Sequence, residues 1–496
     1  MKKSIKPSRI LWLFFQVLLI FTSISLVFPP QGVRIGQLVL HFPSITEIIS
    51  PEPPEYADIS IFTDSYDPGS IVSEEPDNLP AEPEVPVAEP DQGEEMANPP
   101  GTVADEGLLR GYIQTIEYSE NDTALDIFFK SLHDLKDRNN LVRVLHYGDS
   151  QIENDRISSV LRNRLQVKFG GSGIGMFPLF SPVPHTAAVR INPSGRWTRY
   201  TPLERGQQRH NRYGLLLSYS LLDKDNTGRE TEGSLTLRPS GIGYSRLQRM
   251  KELSVFLGFN DQPFLMEVKA DGKVISSESL APADSLVRIS LTLPQDAKEY
   301  SFYISGMDPP EIYSLSIDDS QGVAVNNIPL RGSSGLEFTR TDKNIMMQMI
   351  SEMNVGLIIL QFGVNVVPNV VDDYSYYENS LFRQIAFLQS LCPDISIMVI
   401  GVSDMSARMP GGYYESYPNI EMIRDAQKRA AFRAGVPFWD LYEAMGGKNS
   451  MPAWVAANPP LGQRDYTHFS YRGSAIVGEL LFNALMAGYE NYLKRL

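Results

Sequence analysis

From Leu108 onward the apolar and polar positions of this chain repeat with two different periods. Helical spacing runs through "LLRGYIQTIE" and "TALDIFFKSLHDLKD", and "LVRVLHYG" (141–148) reads as a short strand stopped by Gly148. A helix is expected over "QIENDRISSVLRNRLQVKFG", with Ile152, Ile157, Val160, Leu161 and Leu165 on its apolar side. Strand, tight turn and helix in that order open an α/β sheet. The middle of the chain changes character. "YGLLLSYSLL", "GSLTLRPS", "LSVFLGFN", "FLMEVKADGKVI", "SLVRISLTLP", "EYSFYISG" and "EIYSLSIDD" are short strand-like runs punctuated by Gly, Asp, Asn and Pro, the pattern of a β-sandwich. The α/β rhythm then returns, with helices over 341–353, 374–391, 420–434 and about 472–495 alternating with strands over 355–362, 395–401 and 436–440. The sandwich is therefore expected as an insertion over 185–327, dividing one α/β domain into 107–184 and 328–496.

The amino end follows neither pattern. Lys2, Lys3, Lys6 and Arg9 precede an uncharged run from Ile10 to Phe28, about the ~20 residues that a membrane-spanning helix needs. No small-x-small cleavage site follows it, so residues 1–30 read as an uncleaved transmembrane anchor rather than a signal peptide. Basic residues at its start would stay in the cytoplasm and place the remainder on the periplasmic side of the inner membrane.

Composition alters this picture in one place. Pro51 to Glu106 holds sixteen Asp and Glu and no Lys or Arg, which accounts for the chain's net charge of −15 and leaves the rest close to neutral. A Pro- and Glu-rich stretch poor in aromatics cannot bury enough surface to fold, so 31–106 is expected to be a disordered linker. With the acid confined there, the folded part carries no basic footprint for nucleic acid. Cys392, the single cysteine, can form no internal disulfide and reads as a small hydrophobe near a helix end.

Candidate chemistry begins with "GDS" at 148–150. A serine between a strand's carboxyl end and a helix is placed for nucleophilic attack, since ligands bind at that edge and first-turn amides face developing negative charge. The alternative is that Asp149 or Ser150 only caps the helix. A nucleophile needs a base, and the six histidines are His41, His133, His146, His185, His210 and His468. His146 lies on the strand and reads as packed. His468, in "GQRDYTHFSYRGSAIVGELL", follows Asp465 by three residues, a spacing that lets the carboxylate reach Nδ1 and leaves Nε2 for a serine. Gly363 and Asn365 in "ILQFGVNVV", with Gly332 and Gly335 in "IPLRGSSGLEF", could supply oxyanion donors or be plain turn residues. Neither a metal-ligand cluster nor a nucleotide glycine motif is present, so no cofactor and no metal are expected.

Taken in order, "YGDSQ", "RGSSG", "FGVNV" and "DYTH" resemble the four blocks of the SGNH, or GDSL-type, hydrolases, over roughly 140–185 and 328–495. The resemblance is nearest to peptidoglycan O-acetylesterase-like envelope esterases, which carry a β-rich insertion; "FWDLYEAMGGKNSMPAW" is similar to that branch as well. It implies a flavodoxin-like three-layer domain with a parallel sheet and a jelly-roll-like insertion. It also implies Ser150 as nucleophile, His468 as base and Asp465 as its orienter, with an oxyanion hole from Ser150, Gly332 and Asn365, Gly335 being the alternative to Gly332. Gln151 stands where the family's name-giving leucine would be, and "GVNV" lacks an aspartate that often follows the asparagine. The implied substrate is an O-acylated envelope polysaccharide. Hydrolysis, acyl transfer to a sugar hydroxyl, and glycan binding without turnover through Trp197, Tyr200 and Tyr213 remain open at this point.

Overall fold

The computed structural model describes residues 7–27, 33–35, 38–40, 54–63, 112–120, 122–204, 209–224, 229–409 and 411–496. Two compact units divide the chain: Met1–Tyr56 with Ala407–Glu415, and Ala57–Ser406 with Ser416–Leu496.

In the smaller unit a helix spans Pro7–Val27, and Val33–Ile35 pairs antiparallel with Leu38–Leu40. Leu11, Trp12, Phe14 and Leu18 of this helix are all more than 60 % exposed. The expected transmembrane span is not supported, because among the described residues no helix is long and apolar enough to cross a membrane.

The larger unit is built on five parallel strands: β1 Leu141–Gly148, β2 Gly322–Pro329, β3 Val355–Gln361, β4 Ser396–Ile400 and β5 Phe438–Trp439, in spatial order 2-1-3-4-5. This is the flavodoxin-like order, whose switch point falls between β1 and β3. Alternation along the strands sends side chains to two cores. Val142, Val144, Val323, Val325, Leu357 and Ile359 pack with helices α1 (Asp126–Asp134), α2 (Ser158–Phe169) and α6 (Tyr471–Arg495). Leu145, Tyr147, Ile328, Ile358 and Leu360 pack on the other face with α3 (Lys343–Met353), α4 (Ser375–Gln389) and α5 (Ile420–Arg433). Three layers result, with every central strand buried on both faces.

Between β1 and β2 the chain builds two antiparallel sheets around their own core of Leu235, Val255, Phe302 and Leu315. The insertion extends from Gly175–Phe177, which pairs with Glu311–Asp318, to Asp318 itself. The expected boundaries of 185 and 327 were displaced because "GVAVNNIP" (322–329) is not a sandwich strand but β2 of the parallel sheet. Its buried Asn326 and Asn327 interrupt the apolar run that marks such strands in sequence. The sandwich is not a separate bead: Tyr219, Phe256, Leu286 and Tyr313 share the second core with α3.

Three further expectations are corrected. Residues 112–118 are not helical; Glu117 forms an antiparallel bridge to Phe438, and the Trp439 indole donates to the Gln114 carbonyl at 2.9 Å, so the segment lies along β5. The helix expected from Gln151 starts only at Ser158, after a 3-10 turn over Ser150–Asp155 in which Asn154 and Asp155 are left-handed. Nor is 31–106 unfolded throughout. Ser60–Thr63 forms a helical turn whose Phe62 is 1 % exposed against Trp454 and Tyr112, with ring centroids 5.4 and 5.9 Å away. Most of the expected linker lies outside the described residues.

Deleting Phe62 empties a packed site, so Phe62→Ala should cost about 3–5 kcal/mol, read as a lower urea midpoint. A chain beginning at residue 107 should be destabilised at least as much as that variant; equal midpoints for the full and the 107–496 chains would contradict this packing.

Candidate active site

The three central strands end level. Gly148 stands opposite Pro329 on one side and Gln361 on the other, so the loops leaving β1, β2 and β3 emerge side by side. Ser150 lies on the middle one. Asp149 takes the capping role itself: its carboxylate accepts the Gln151 amide at 3.1 Å, and the amides of Gly363 and Val364 also bond to it. The Ser150 hydroxyl takes no part in that cap. Its Oγ lies 2.7 Å from His468 Nε2, and His468 Nδ1 lies 2.6 Å from Asp465 Oδ2. The other Asp465 oxygen accepts the amides of Thr467 and His468 at 2.9 and 3.0 Å, which fixes the carboxylate under the ring. Burial pushes the Asp465 carboxyl up, but the hydrogen bonds from the His468 ring and the two amides outweigh it and hold it below its ordinary value.

The donors implied by the resemblance lie on the loops that leave β2 and β3, beside the loop that carries Ser150. Asn365 Nδ2 donates to the Ser333 carbonyl at 2.9 Å, linking the loop after β3 to the loop after β2. Since β1 lies between those strands, this bond passes across the end of β1, where Ser150 sits. One amide proton of Asn365 is used there, and among the described residues no second bond from that nitrogen is seen. Gly332 adopts φ 76°, and a Cβ at that position would meet nothing within 4 Å, so its backbone borders open space. Among the described residues neither the Gly332 nor the Ser150 amide bonds to another backbone group outside regular elements. The Gly335 amide, by contrast, is bonded to Ser333 Oγ at 2.8 Å, and a Cβ there would press on the Phe362 ring at 2.7 Å. The geometry thus separates the two glycines: Gly332 faces outward and Gly335 is spent on the turn.

Beneath the site lies a fully buried polar set. The His146 ring is bonded through Nε2 to Gln361 Oε1 at 2.9 Å and through Nδ1 to Ser158 Oγ at 2.8 Å. Burial lowers its pKa to about 4, so it is neutral and structural. Arg162 grips Asp155 with both terminal nitrogens, at 2.5 and 3.0 Å, and locks the left-handed turn that follows the serine. Sequence reasoning missed both this pair and Gln151, whose side chain reaches Thr467 and Ser403. Within "DSQIENDRISSVLR" they look like ordinary polar surface, and only the turn reveals that they point inward. The remaining described histidines lie elsewhere: His133 is in the last turn of α1, His185 is buried with its pKa lowered to about 3 by burial, and His210 bonds Glu311 at 2.7 Å.

The sugar-platform candidates do not gather into a site. Trp197 is buried in the sandwich core with its indole bonded to Ser194, and Tyr213 is 2 % exposed. Tyr200 stacks on Tyr219 at 5.0 Å, with Arg209 5.9 Å from its ring centroid. Cys392 is free and partly buried against the second core. Among the described residues no His, Cys, Asp and Glu group could hold a metal.

No family model and no curated protein matches the chain. Solved structures do. One described as a peptidoglycan O-acetylesterase in action superposes at a TM-score of 0.59 with 21 % identity, over 76 % of this chain and 99 % of that one. The chain shares the fold of that structure. A family two carbohydrate esterase from Clostridium thermocellum, at 11 % identity over 55 % of this chain and 97 % of its own, reaches a TM-score of only 0.23 and adds nothing to that likeness. The O-acetylesterase match takes in nearly the whole of that protein, so the β-rich insertion and the parallel sheet belong to one shared architecture.

Asp149 offers a test of this electrostatic arrangement. Burial raises its carboxyl from 3.8 to about 6 in the folded protein. The stability it contributes is therefore complete below the unfolded value and lost as pH rises through about 6. Relative to Asp149→Asn, the wild-type chain should lose on the order of 2–3 kcal/mol between pH 4 and pH 7. Urea unfolding at both pH values measures the gap, and one that stays flat or widens toward neutral pH would refute the assignment.

Proposed function

We propose that this protein is a serine esterase that removes O-acyl groups, acetyl foremost, from an envelope polysaccharide such as peptidoglycan. The observation that carries the reading is the Ser150–His468–Asp465 relay, with hydrogen bonds of 2.7 and 2.6 Å. In this mechanism Ser150 Oγ attacks the ester carbonyl while His468 Nε2 takes its proton. Asp465 keeps the imidazole in the tautomer that presents a bare Nε2 and stabilises the imidazolium. The carbonyl oxygen, now negative, is received by the amides of Ser150 and Gly332 and by Asn365 Nδ2. Protonated His468 returns its proton to the sugar oxygen as the C–O bond breaks. Water, deprotonated by the same nitrogen, then attacks the acyl-enzyme and releases the acid. The likeness to an O-acetylesterase supports the substrate class, and an address outside the cytoplasm follows from the basic start and apolar run at the amino end. Fractionation of cells carrying the tagged chain tests the address, and recovery in the cytosol would exclude it.

The chemistry is tested by kinetics. On 4-nitrophenyl acetate, Ser150→Ala and His468→Ala should each lower kcat/KM by about 10⁴ or more. Asp465 is 45 % exposed, and water screens its charge, so Asp465→Ala should cost less, roughly 10²–10³. Asn365→Ala should lower kcat by about 10² with KM little changed. Acetate released from O-acetylated peptidoglycan would support hydrolysis; acetate appearing instead on an added unacetylated glycan would assign the same acyl-enzyme to transfer. A Ser150→Ala protein as active as wild type would end the esterase reading.

A further inference from the structure

We propose that Gln151 is a positioning residue: its side-chain amide holds the backbone on both sides of His468 and so sets the distance from the imidazole to the Ser150 hydroxyl. The inference rests on the serine-esterase reading and deepens it.

Gln151 directly follows the nucleophile and is 2 % exposed. Its backbone amide is pinned by Asp149 Oδ1 at 3.1 Å. From there the side chain crosses to the loop before α6. Nε2 donates to the Thr467 carbonyl at 2.7 Å and to Ser403 Oγ at 3.0 Å, so both of its protons are used. Oε1 accepts the Phe469 amide at 3.4 Å. Thr467 and Phe469 are the two neighbours of His468, so one planar amide grips the chain at either side of the base without touching the ring. Arg156 braces the same pair of segments, donating to the Ser150 carbonyl at 3.2 Å and the Phe469 carbonyl at 3.3 Å. The nucleophile and its base come from segments more than 300 residues apart, and an error of about 1 Å between such groups can cost 10²-fold in rate. A leucine at 151 could fill the space but could neither donate to Thr467 nor accept from Phe469. Without Gln151, the half-buried Thr467 carbonyl and the buried Phe469 amide would lose these partners and the loop would be free to shift.

Gln151→Met keeps the bulk and removes the grip. With 4-nitrophenyl acetate, kcat should fall about 10–100-fold while KM stays within about twofold. Gln151→Glu supplies a sharper readout, because its protonated form can still donate to Thr467 and accept from Phe469 whereas its ionised form turns a negative oxygen toward the Thr467 carbonyl. Its kcat/KM should therefore decline with rising pH over a range in which the wild-type profile is flat. This second variant decides the matter even if the Met variant does not fold. A Gln151→Met enzyme with wild-type kcat, or a Gln151→Glu profile parallel to wild type, would overturn the proposal while Ser150 dependence still stood. Loss of Ser150 dependence would instead strike at the esterase reading itself.

Discussion

A hydroxyl and an imidazole that are 318 positions apart in the chain meet at 2.7 Å. Neither can be moved alone. Ser150 is fixed by β1, by the Asp149 cap and by a left-handed turn that Arg162 and Asp155 hold from inside. His468 is fixed by Asp465, by Gln151 and by α6, whose Gly478 lies so close to α2 that a Cβ would stand 2.7 Å from Val160. The Gln151 bond to Thr467 and the packing of α6 on α2 join the first part of the divided domain to the last, so closing the α/β layer also brings the two groups together.

The insertion has a part in this closure. It enters after α2 and leaves into β2, beside β1, with Asn326 of β2 donating to the Val144 carbonyl and accepting from Arg143 and from Met176 at the sandwich's edge. A detour of more than a hundred residues therefore begins and ends next to the strand that leads to Ser150, and its sheet shares a core with α3. Such a detour can be long without loosening the site, because loop-closure entropy grows only slowly with length once the ends are held. The strap around Phe62 follows the same logic, holding the chain against Trp454, whose ring in turn packs on Phe469 at 5.3 Å.

Much of this was legible in the sequence because the signals are local. Strands β1, β3 and β4 and helices α3 to α6 announce themselves by period, and Asp465 sits near enough to His468 in sequence for its reach to be judged from spacing alone. What stayed hidden depends on tertiary surroundings. Strand β2 carries two asparagines where an apolar run was expected, and only its neighbours, with Val144, Arg143 and Met176 bonded to Asn326 and Ser158 to Asn327, make it a core strand. The turn after Ser150 was read as helix because Ile152 and Ile157 keep helical spacing while the backbone between them reverses hand at Asn154 and Asp155. Ala57 to Thr63 sat within a Pro- and Glu-rich stretch whose composition masks one buried phenylalanine. Gly332 and Gly335 differ in sequence by nothing that predicts which amide is spent inward. Similarly, "DSQ" gives no hint that the glutamine reaches the histidine loop.

The central claim is that Ser150 is a nucleophile made reactive by His468. Covalent labelling with a fluorophosphonate ester, followed by peptide mass spectrometry, reads it without any assumption about the natural substrate. The account predicts one phosphonyl group per chain, located on Ser150, and its loss when His468 is replaced by alanine. Labelling on another residue, or labelling of Ser150 at an undiminished rate in the His468→Ala chain, would contradict it.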